Sequence, residues 1–156
     1  MPMPLEGIRV LDWTIWQQGP VSTMMLGDLG AEVIKLEERV GGDPGRGVMS
    51  IGGTGLSGQR NYYFEVNNRH KKSLTLNLKR PEAREIVYKL VEKSDVFVQN
   101  FRKGVAAKLG LDYQTLSKYN PKLIYASASG YGPEGPDSGE PSFDYMGLAR
   151  SGIMNA

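Results

Sequence analysis

Residues 7–37 read GIRVLDWTIWQQGPVSTMMLGDLGAEVIKLE. Ile8 to Trp13 predicts a short buried strand. Gly19-Pro20 then opens a helix that runs to about Gly30. Proline suits the first helical turn because its missing N–H has no partner there, and glycine suits the left-handed position after the last turn. Glu32 to Glu37 returns as a second strand. Strand, helix and strand in that order open a parallel sheet, and the rest of the chain repeats the alternation.

Arg39 to Gln59 carries GGDPGRG and GGTGLSG and is expected to be loop. Leu74, Leu76 and Leu78 alternate with Thr75 and Asn77, the period of a strand with one buried face. Pro81 to Ser94 is the clearest helix, with Ala83, Ile86, Val87, Leu90 and Val91 on one face. Glu82 and Glu85 sit near the positive end of its dipole and Lys93 near the negative end. Asp95 to Phe101 is a strand that leaves the core at Gln99-Asn100. Short helices follow around Val105 to Leu109 and Tyr113 to Tyr119. Leu123 to Ala128 is the next strand and runs into the loop GYGPEGP. Tyr145 to Met154 begins a helix with no cap or breaker, which points to a continuing chain.

This pattern predicts an α/β fold, a Rossmann-like, mostly parallel sheet with helices on both faces. Ligands in such sheets bind beyond the carboxyl ends of the strands. Those ends are Thr14 to Gln18, Glu37 to Arg39, Gln99 to Arg102 and Ser129 to Tyr131. The sequence contains no internal repeat and no low-complexity tract.

The 156 residues suit one domain with a sizeable core. The absence of cysteine excludes disulfides and thiol catalysis, and a single histidine, His70, excludes a two-histidine metal site, so no metal is expected. A net charge of +2 is too small to argue for nucleic acid but suits a small polyanionic ligand. MPMPLEGIRV has no signal-peptide pattern and no apolar run reaches membrane length, so a cytoplasmic protein without a membrane partner is expected. GxGxxG, GxxxxGK[ST] and GxSxG motifs are all missing, which removes support for an ordinary dinucleotide site, a P-loop or a serine hydrolase.

Four segments each allow two readings. Trp16-Gln17-Gln18-Gly19-Pro20 is a plain strand-to-helix turn, or a helix start whose amides hold an anion while Gln17 orients a carbonyl. Arg69 to Lys72, with Lys79 and Arg80 further on, is solvated surface or the counter-charge of a phosphate-rich ligand. Asn100-Phe101-Arg102 is a mixed loop, or an amide, a flat apolar face and a cation ready for a purine and its phosphates. Asp144, after Phe143, is a helix cap or a second carboxylate of an active site.

In order along the chain, PLEGIRVLDWT, QQGP, LGDLGAEVIKLE, GDPGR, NNRHKKSLTLNLKRPEAREI, SDVFVQNFRKGVAAKLGLDY, NPKLIYASASGYGPEGP and FDYMGLARSG together resemble the class III CoA-transferase family. That family includes formyl-CoA transferase, carnitine-type CoA-transferases and α-methylacyl-CoA racemases. The resemblance implies that residues 1–156 are the first half of a Rossmann-like large domain, in a homodimer of interlocked subunits. It implies coenzyme A as substrate and carrier. CoA contacts carry over to Trp16, Gln17, Gln18, Leu76, Lys79, Asn100, Phe101, Lys108 and Leu109.

One departure is visible. Glu38 stands where formyl-CoA transferase has an arginine, so the resemblance passes that role to the neighbouring Arg39 or leaves the phosphates to Lys79 and Lys108. The family's mechanism runs through an aspartate that forms a mixed anhydride and then an aspartyl-CoA thioester. No aspartate of this chain matches that nucleophile; it is expected past Ala156, and the piece is expected to be inactive alone. Gln17 and Asp144 match supporting positions. An α-methylacyl-CoA racemase is the alternative, but it needs a histidine where this chain has Phe143, and phenylalanine transfers no protons. A non-catalytic CoA-binding module is the third reading.

Overall fold

The computed structural model describes residues 1–48, 50–51, 54–55 and 60–155. The chain runs β1 (Arg9–Trp13), α1 (Gln18–Asp28), β2 (Glu32–Glu37), a 3-10 turn (Pro44–Gly47), β3 (Ser50–Ile51), β4 (Thr54–Gly55) and α2 (Tyr62–Asn68). It continues through β5 (Lys71–Thr75), α3 (Pro81–Val91), β6 (Val96–Gln99), α4 (Val105–Lys108), α5 (Tyr113–Leu116), β7 (Ile124–Ser127), α6 (Asp144–Arg150) and a 3-10 turn (Ile153–Asn155). The main sheet has the order β5-β2-β1-β6-β7, and all of its pairings are parallel. β3 and β4 form a separate antiparallel pair. The chain steps outward from β1 to β2 and β5, then crosses back to add β6 and β7 on the other side of β1. That reversal opens a crevice at the carboxyl ends of β1 and β6.

Both faces of the sheet are covered at its centre, whereas β7 at one edge is largely exposed. Leu11 and Trp13 pack with Phe97, Val87, Val91, Leu111 and Leu116 on the side of α3, α4 and α5. Val10, Val33 and Val98 pack with Leu26 of α1 on the other side. Val10 and Leu11 are both fully buried, which is why β1 reads as a continuous apolar run rather than an alternating one. Alternation still sorts the side chains. The α1 face starts apolar at Val10 and Val33 and turns ionic two residues later, at Asp12 and Lys35, which are paired in register. α1 closes as its sequence predicts: Gly30 takes a positive φ of 102°, and the Ala31 amide returns to the Leu26 carbonyl at 3.1 Å.

Several elements differ from their expected bounds. The strand anticipated over Leu74, Leu76 and Leu78 lies earlier, at Lys71–Thr75. Its partner β2 ends at Glu37, opposite Thr75, so the ladder stops there and Leu76 to Lys79 run beyond it. Of the basic run Arg69 to Lys72, Lys71 and Lys72 begin this edge strand; the Lys71 side chain is buried, while those of Arg69, His70 and Lys72 are exposed. On α3 the buried stripe is Ala83, Val87, Tyr88 and Val91, and Ile86 is 44% exposed; Tyr88 takes the opposite flank because its hydroxyl donates to the Gly110 carbonyl at 3.2 Å. The stretch expected as loop over 39–59 contains the Pro44–Gly47 turn and the β3–β4 pair, with 49, 52–53 and 56–59 outside the described residues. α2 had no counterpart in the sequence reading; Asn61 starts it by accepting from the Phe64 amide at 2.9 Å. α6 is shorter than the helix expected over Tyr145 to Met154, and it buries none of its residues.

Candidate functional site

A cleft of about 520 Å³ opens at the carboxyl ends of β1, β2 and β5. Trp13, Leu36, Phe101, Val105 and Leu109 make an apolar wall, with Leu76 to Lys79 along one rim and Glu37, Glu38 and Asp43 along another. Trp13 and Phe101 stack with centroids 4.2 Å apart. The Phe101 amide donates to Gln99 Oε1 at 2.8 Å, which fixes the chain as it leaves β6. A flat apolar wall beside a flexible cation suits a ligand with a planar group and an anionic one.

The acids on the far rim are already engaged. Glu37 is nearly buried and receives the Arg46 guanidinium fork at 2.7 and 2.8 Å, the Ser73 hydroxyl at 2.7 Å and the Asp43 amide at 3.0 Å. Burial alone would raise its pKa, but these donors outweigh it and bring the carboxyl down to about 2. Arg46 also lies 3.9 Å over the Phe64 ring. Glu38 is exposed, and its carboxylate accepts from the amides of Val40 and Gly41, both at 2.8 Å, which hold its pKa below the ordinary range.

The segment between β1 and α1 is held by its backbone. Lys35 Nζ donates to the Thr14 carbonyl at 2.8 Å. Asn100 accepts from the Ile15 amide at 2.9 Å and donates to the Ile15 carbonyl at 2.8 Å. Asp43 Oδ1 accepts from the Trp16 amide at 3.0 Å and from Gly45 at 2.8 Å. Trp16 has a positive φ of 68°, uncommon for a bulky residue, and is 44% exposed. A Cβ on Gly19 would meet the Thr14 Cβ at 2.5 Å, so only glycine lets α1 start this close to β1.

Beneath this segment lie four buried charges. Lys71 Nζ donates to Asp12 Oδ2 at 2.8 Å, the Pro20 carbonyl at 2.7 Å and Asn68 Oδ1 at 3.0 Å. Asp12 also receives the hydroxyls of Thr14 and Thr23. Lys35 Nζ sits 2.8 Å from Asp43 Oδ2, at an angle that makes the contact ionic rather than a hydrogen bond, and 4.0 Å from Asp12 Oδ2. Burial pushes the Lys71 ammonium pKa down, and the neighbouring Asp12 opposes that shift.

Of the residues singled out in the sequence, Leu76, Lys79, Phe101 and Leu109 come together in the cleft wall and rim. Trp16, Gln17 and Gln18 are exposed on the held segment beside it, and the Gln17 side chain caps nothing although it heads α1. Asn100 gives both polar atoms to Ile15. Arg39 and Lys108 are exposed and do not line the cleft. Asp144 is exposed in the first turn of α6; burial first, then Asp43 and Asp144, raise the pKa of the Tyr63 hydroxyl. The sequence singled out none of Lys35, Asp43 and Arg46, and it offered Lys71 only as part of the basic run Arg69 to Lys72, not as a partner of Asp12. Lys35 had a visible signal, a lone cation in the middle of the otherwise apolar strand centre VIKL. No group of three or more potential metal ligands occurs among the described residues, and no described helix is long and apolar enough to cross a membrane.

A parallel sheet whose strand order reverses at β1, with helices on both sides, defines a doubly wound α/β protein, a class whose ligands bind at the switch point. The chain belongs to CoA-transferase family III, whose family model matches residues 5–156. It is 43% identical over 152 residues to the succinyl-CoA:glutarate CoA-transferase of Mus musculus, covering 97% of this chain and 34% of that protein. It is likewise 43% identical over 153 residues to the acetyl-CoA:oxalate CoA-transferase of Acetobacter aceti, covering 98% of this chain and 38% of that one. The crystal structure of Rv3272 from M. tuberculosis superposes with a TM-score of 0.88 at 40% identity, over 97% of this chain and 41% of that one. The chain thus spans about two fifths or less of the length of these relatives.

Proposed function

We propose that this chain forms the CoA-binding part of an enzyme that moves CoA between an acyl-CoA thioester and a carboxylic acid. The observation that carries the reading is the convergence of Leu76, Lys79, Phe101 and Leu109 on one cleft at the switch point. The two relatives named above are CoA-transferases acting on dicarboxylic acids, which supports the same class of reaction here.

The cleft fits the ligand. Its apolar wall accepts the flat or alkyl parts of CoA, and the Lys79 ammonium stands ready for phosphate. Glu38 stays an opposing charge on the rim, with its carboxylate tied to the amides of Gly41 and Val40. Trp16, Gln17 and Gln18 border the thioester end, with Gln17 free to orient a carbonyl. Arg39 and Lys108 add positive charge outside the wall, and Asp144 supports the reacting acids. In this scheme an aspartate that is not among the seven of this chain attacks the acyl-CoA carbonyl and releases the CoA thiolate, leaving a mixed anhydride. The thiolate attacks the aspartyl carbonyl and expels the donor acid, leaving an aspartyl-CoA thioester. The acceptor carboxylate attacks that thioester, and the thiolate released then takes the acceptor acyl group and frees the aspartate. Phe143 occupies the position where a racemase needs a proton-transferring histidine, so transfer is favoured over racemisation. The enzyme works in the cytoplasm as a homodimer; the exposed Phe143, Tyr145, Met146 and Ile124 support an apolar contact there.

Calorimetric titration of the protein with CoA tests the reading. Saturable binding that dephosphorylated CoA reproduces only weakly is the expected result; no heat of binding would sink it.

A further inference from the structure

We infer that the buried Lys35–Asp43 pair is a positioning device for the ligand-facing segment Trp16–Gln18, with Asp43 acting through the Trp16 amide and Lys35 through the Thr14 carbonyl. The inference rests on the CoA reading for what the segment binds, but not for how the segment is held.

Burying an ion pair is rarely the cheapest way to stabilise a core, since well-packed apolar residues of similar size often do as well or better. Lys35 and Asp43 are nevertheless about 1% exposed, one on β2 and the other at the turn that follows it. Their use is visible in what else they touch. β1 ends at Trp13, and from Thr14 onward the backbone has left the ladder, so its polar groups need other partners. Lys35 answers the Thr14 carbonyl, and Asp43 answers the Trp16 amide. These two residues come from β2 and from the turn after it, 21 and 27 positions away in sequence. The ionic contact between them ties the two grips into one unit.

Trp16 shows why such a unit is needed. Its left-handed φ is unfavourable for a residue with a bulky side chain and persists only where surrounding contacts over-determine it. That conformation points the chain into α1 with Gln17 and Gln18 exposed. Lys71 and Asp12 hold the far end of the same segment, through Pro20 and Thr23. Two carboxylates and two ammonium groups balance one another, so the cluster adds no net charge beside an anionic ligand.

The test replaces the pair by neutral residues that differ in one property. Asp43→Asn with Lys35→Met removes both charges but leaves an acceptor for the Trp16 amide. Asp43→Leu with Lys35→Met fills the same space without an acceptor; Asp43→Ala replaces leucine if that variant does not fold. Amide hydrogen exchange and CoA titration are measured on each, with Val98 as a core reference. The leucine variant is expected to lose Trp16 protection while Val98 stays protected, and to bind CoA roughly tenfold more weakly than the asparagine variant, the loss of the Trp16 hydrogen bond. The asparagine variant keeps the acceptor for the Trp16 amide but lacks the Lys35 donor to the Thr14 carbonyl, so it is expected to keep Trp16 protection and to bind CoA more weakly than the parent but more tightly than the leucine variant. Equal Trp16 protection in the two variants overturns the inference, as does parental CoA affinity in the leucine variant. If the parent itself binds no CoA, the proposed function fails while the exchange comparison still decides whether Asp43 holds the segment.

Discussion

Trp13 and Phe101 stack with ring centroids 4.2 Å apart and planes inclined by 30°, tying the end of β1 to the segment after β6. Trp13 is 5% exposed and belongs to the core, whereas Phe101 is only half-buried. One ring is therefore buried backing and the other a partly exposed face on the cleft. Phe101→Ala removes the face and part of the core contact. The expected cost is about 2 kcal/mol of stability, below that of a fully buried phenylalanine, together with weaker CoA binding. Chemical denaturation and titration on the same variant check both; unchanged affinity would take Phe101 out of the site.

Lys79 lies on the cleft rim, exposed, and its backbone amide donates to Asn77 Oδ1 at 3.2 Å. Its side chain makes no hydrogen bond or ion pair among the described residues, so Lys79→Ala is expected to leave the melting temperature unchanged. Losing a charge-assisted phosphate contact should weaken CoA binding by about 1.5–3 kcal/mol. The difference between variant and parent should shrink as salt is raised, because an exposed charge is screened. Titration at two ionic strengths separates this from a change in shape: a salt-independent loss would mean that Lys79 acts by packing.

Glu37 makes stability depend on acid. Its carboxyl ordinarily titrates at 4.5, and in the fold it titrates at about 2. Above pH 4.5 both folded and unfolded chains carry the charge, and the full contribution of the Arg46 and Ser73 contacts is present. As the pH falls below 4.5 the unfolded chain takes up a proton that the folded one refuses, so stability declines until about pH 2. The gap caps this contribution at about 3 kcal/mol, and the 44% exposure of the Arg46 side chain reduces it. Glu37→Gln should lower stability at neutral pH and flatten the acid limb. Urea midpoints measured across that range check it; an unchanged limb would assign the acid sensitivity to another group.

The fold was legible where one local rule acted alone. β1, α1 and β2 fell close to their expected bounds because an apolar run, a proline and a closing glycine each mark one boundary. β5 was misplaced because three alternating leucines outweighed the length of the partner strand, which no local window contains. The cleft residues Leu76, Lys79, Phe101 and Leu109 came from family-like motifs rather than from any periodicity. Asn100 shows the limit of that route: its residue type suits a ligand contact, yet its position beside Ile15 claims both of its polar atoms. Asp43 was hidden in a glycine-rich stretch, where a short polar residue before proline reads as a turn. The other carboxylate beside Lys35, Asp12, becomes its neighbour only once β2 lies parallel to β1.

The final prediction concerns the nucleophile. Acyl transfer through the proposed scheme needs a carboxylate with a free lone pair at the thioester carbonyl. Six of the seven aspartates are committed elsewhere. Asp12 and Asp43 are buried among lysines and amides, and leaving them would strand a buried cation. Asp28 pairs with Arg69, and Asp137 with Arg150. Asp95 accepts from the Arg9 amide at 2.8 Å, and Asp112 caps α5 through Thr115. Asp144 remains, exposed at the start of α6 and absent from the cleft lining. Correct placement of reacting groups is worth about 7–11 kcal/mol of barrier, which an unplaced surface acid does not supply. Incubated with an acyl-CoA and an acceptor acid, the 156-residue chain should therefore show no covalent adduct by intact mass and no turnover above background. An acyl or CoA adduct, mapped by peptide sequencing to any of these seven residues, would place the nucleophile inside this chain and overturn the assignment of the cleft as a binding site alone.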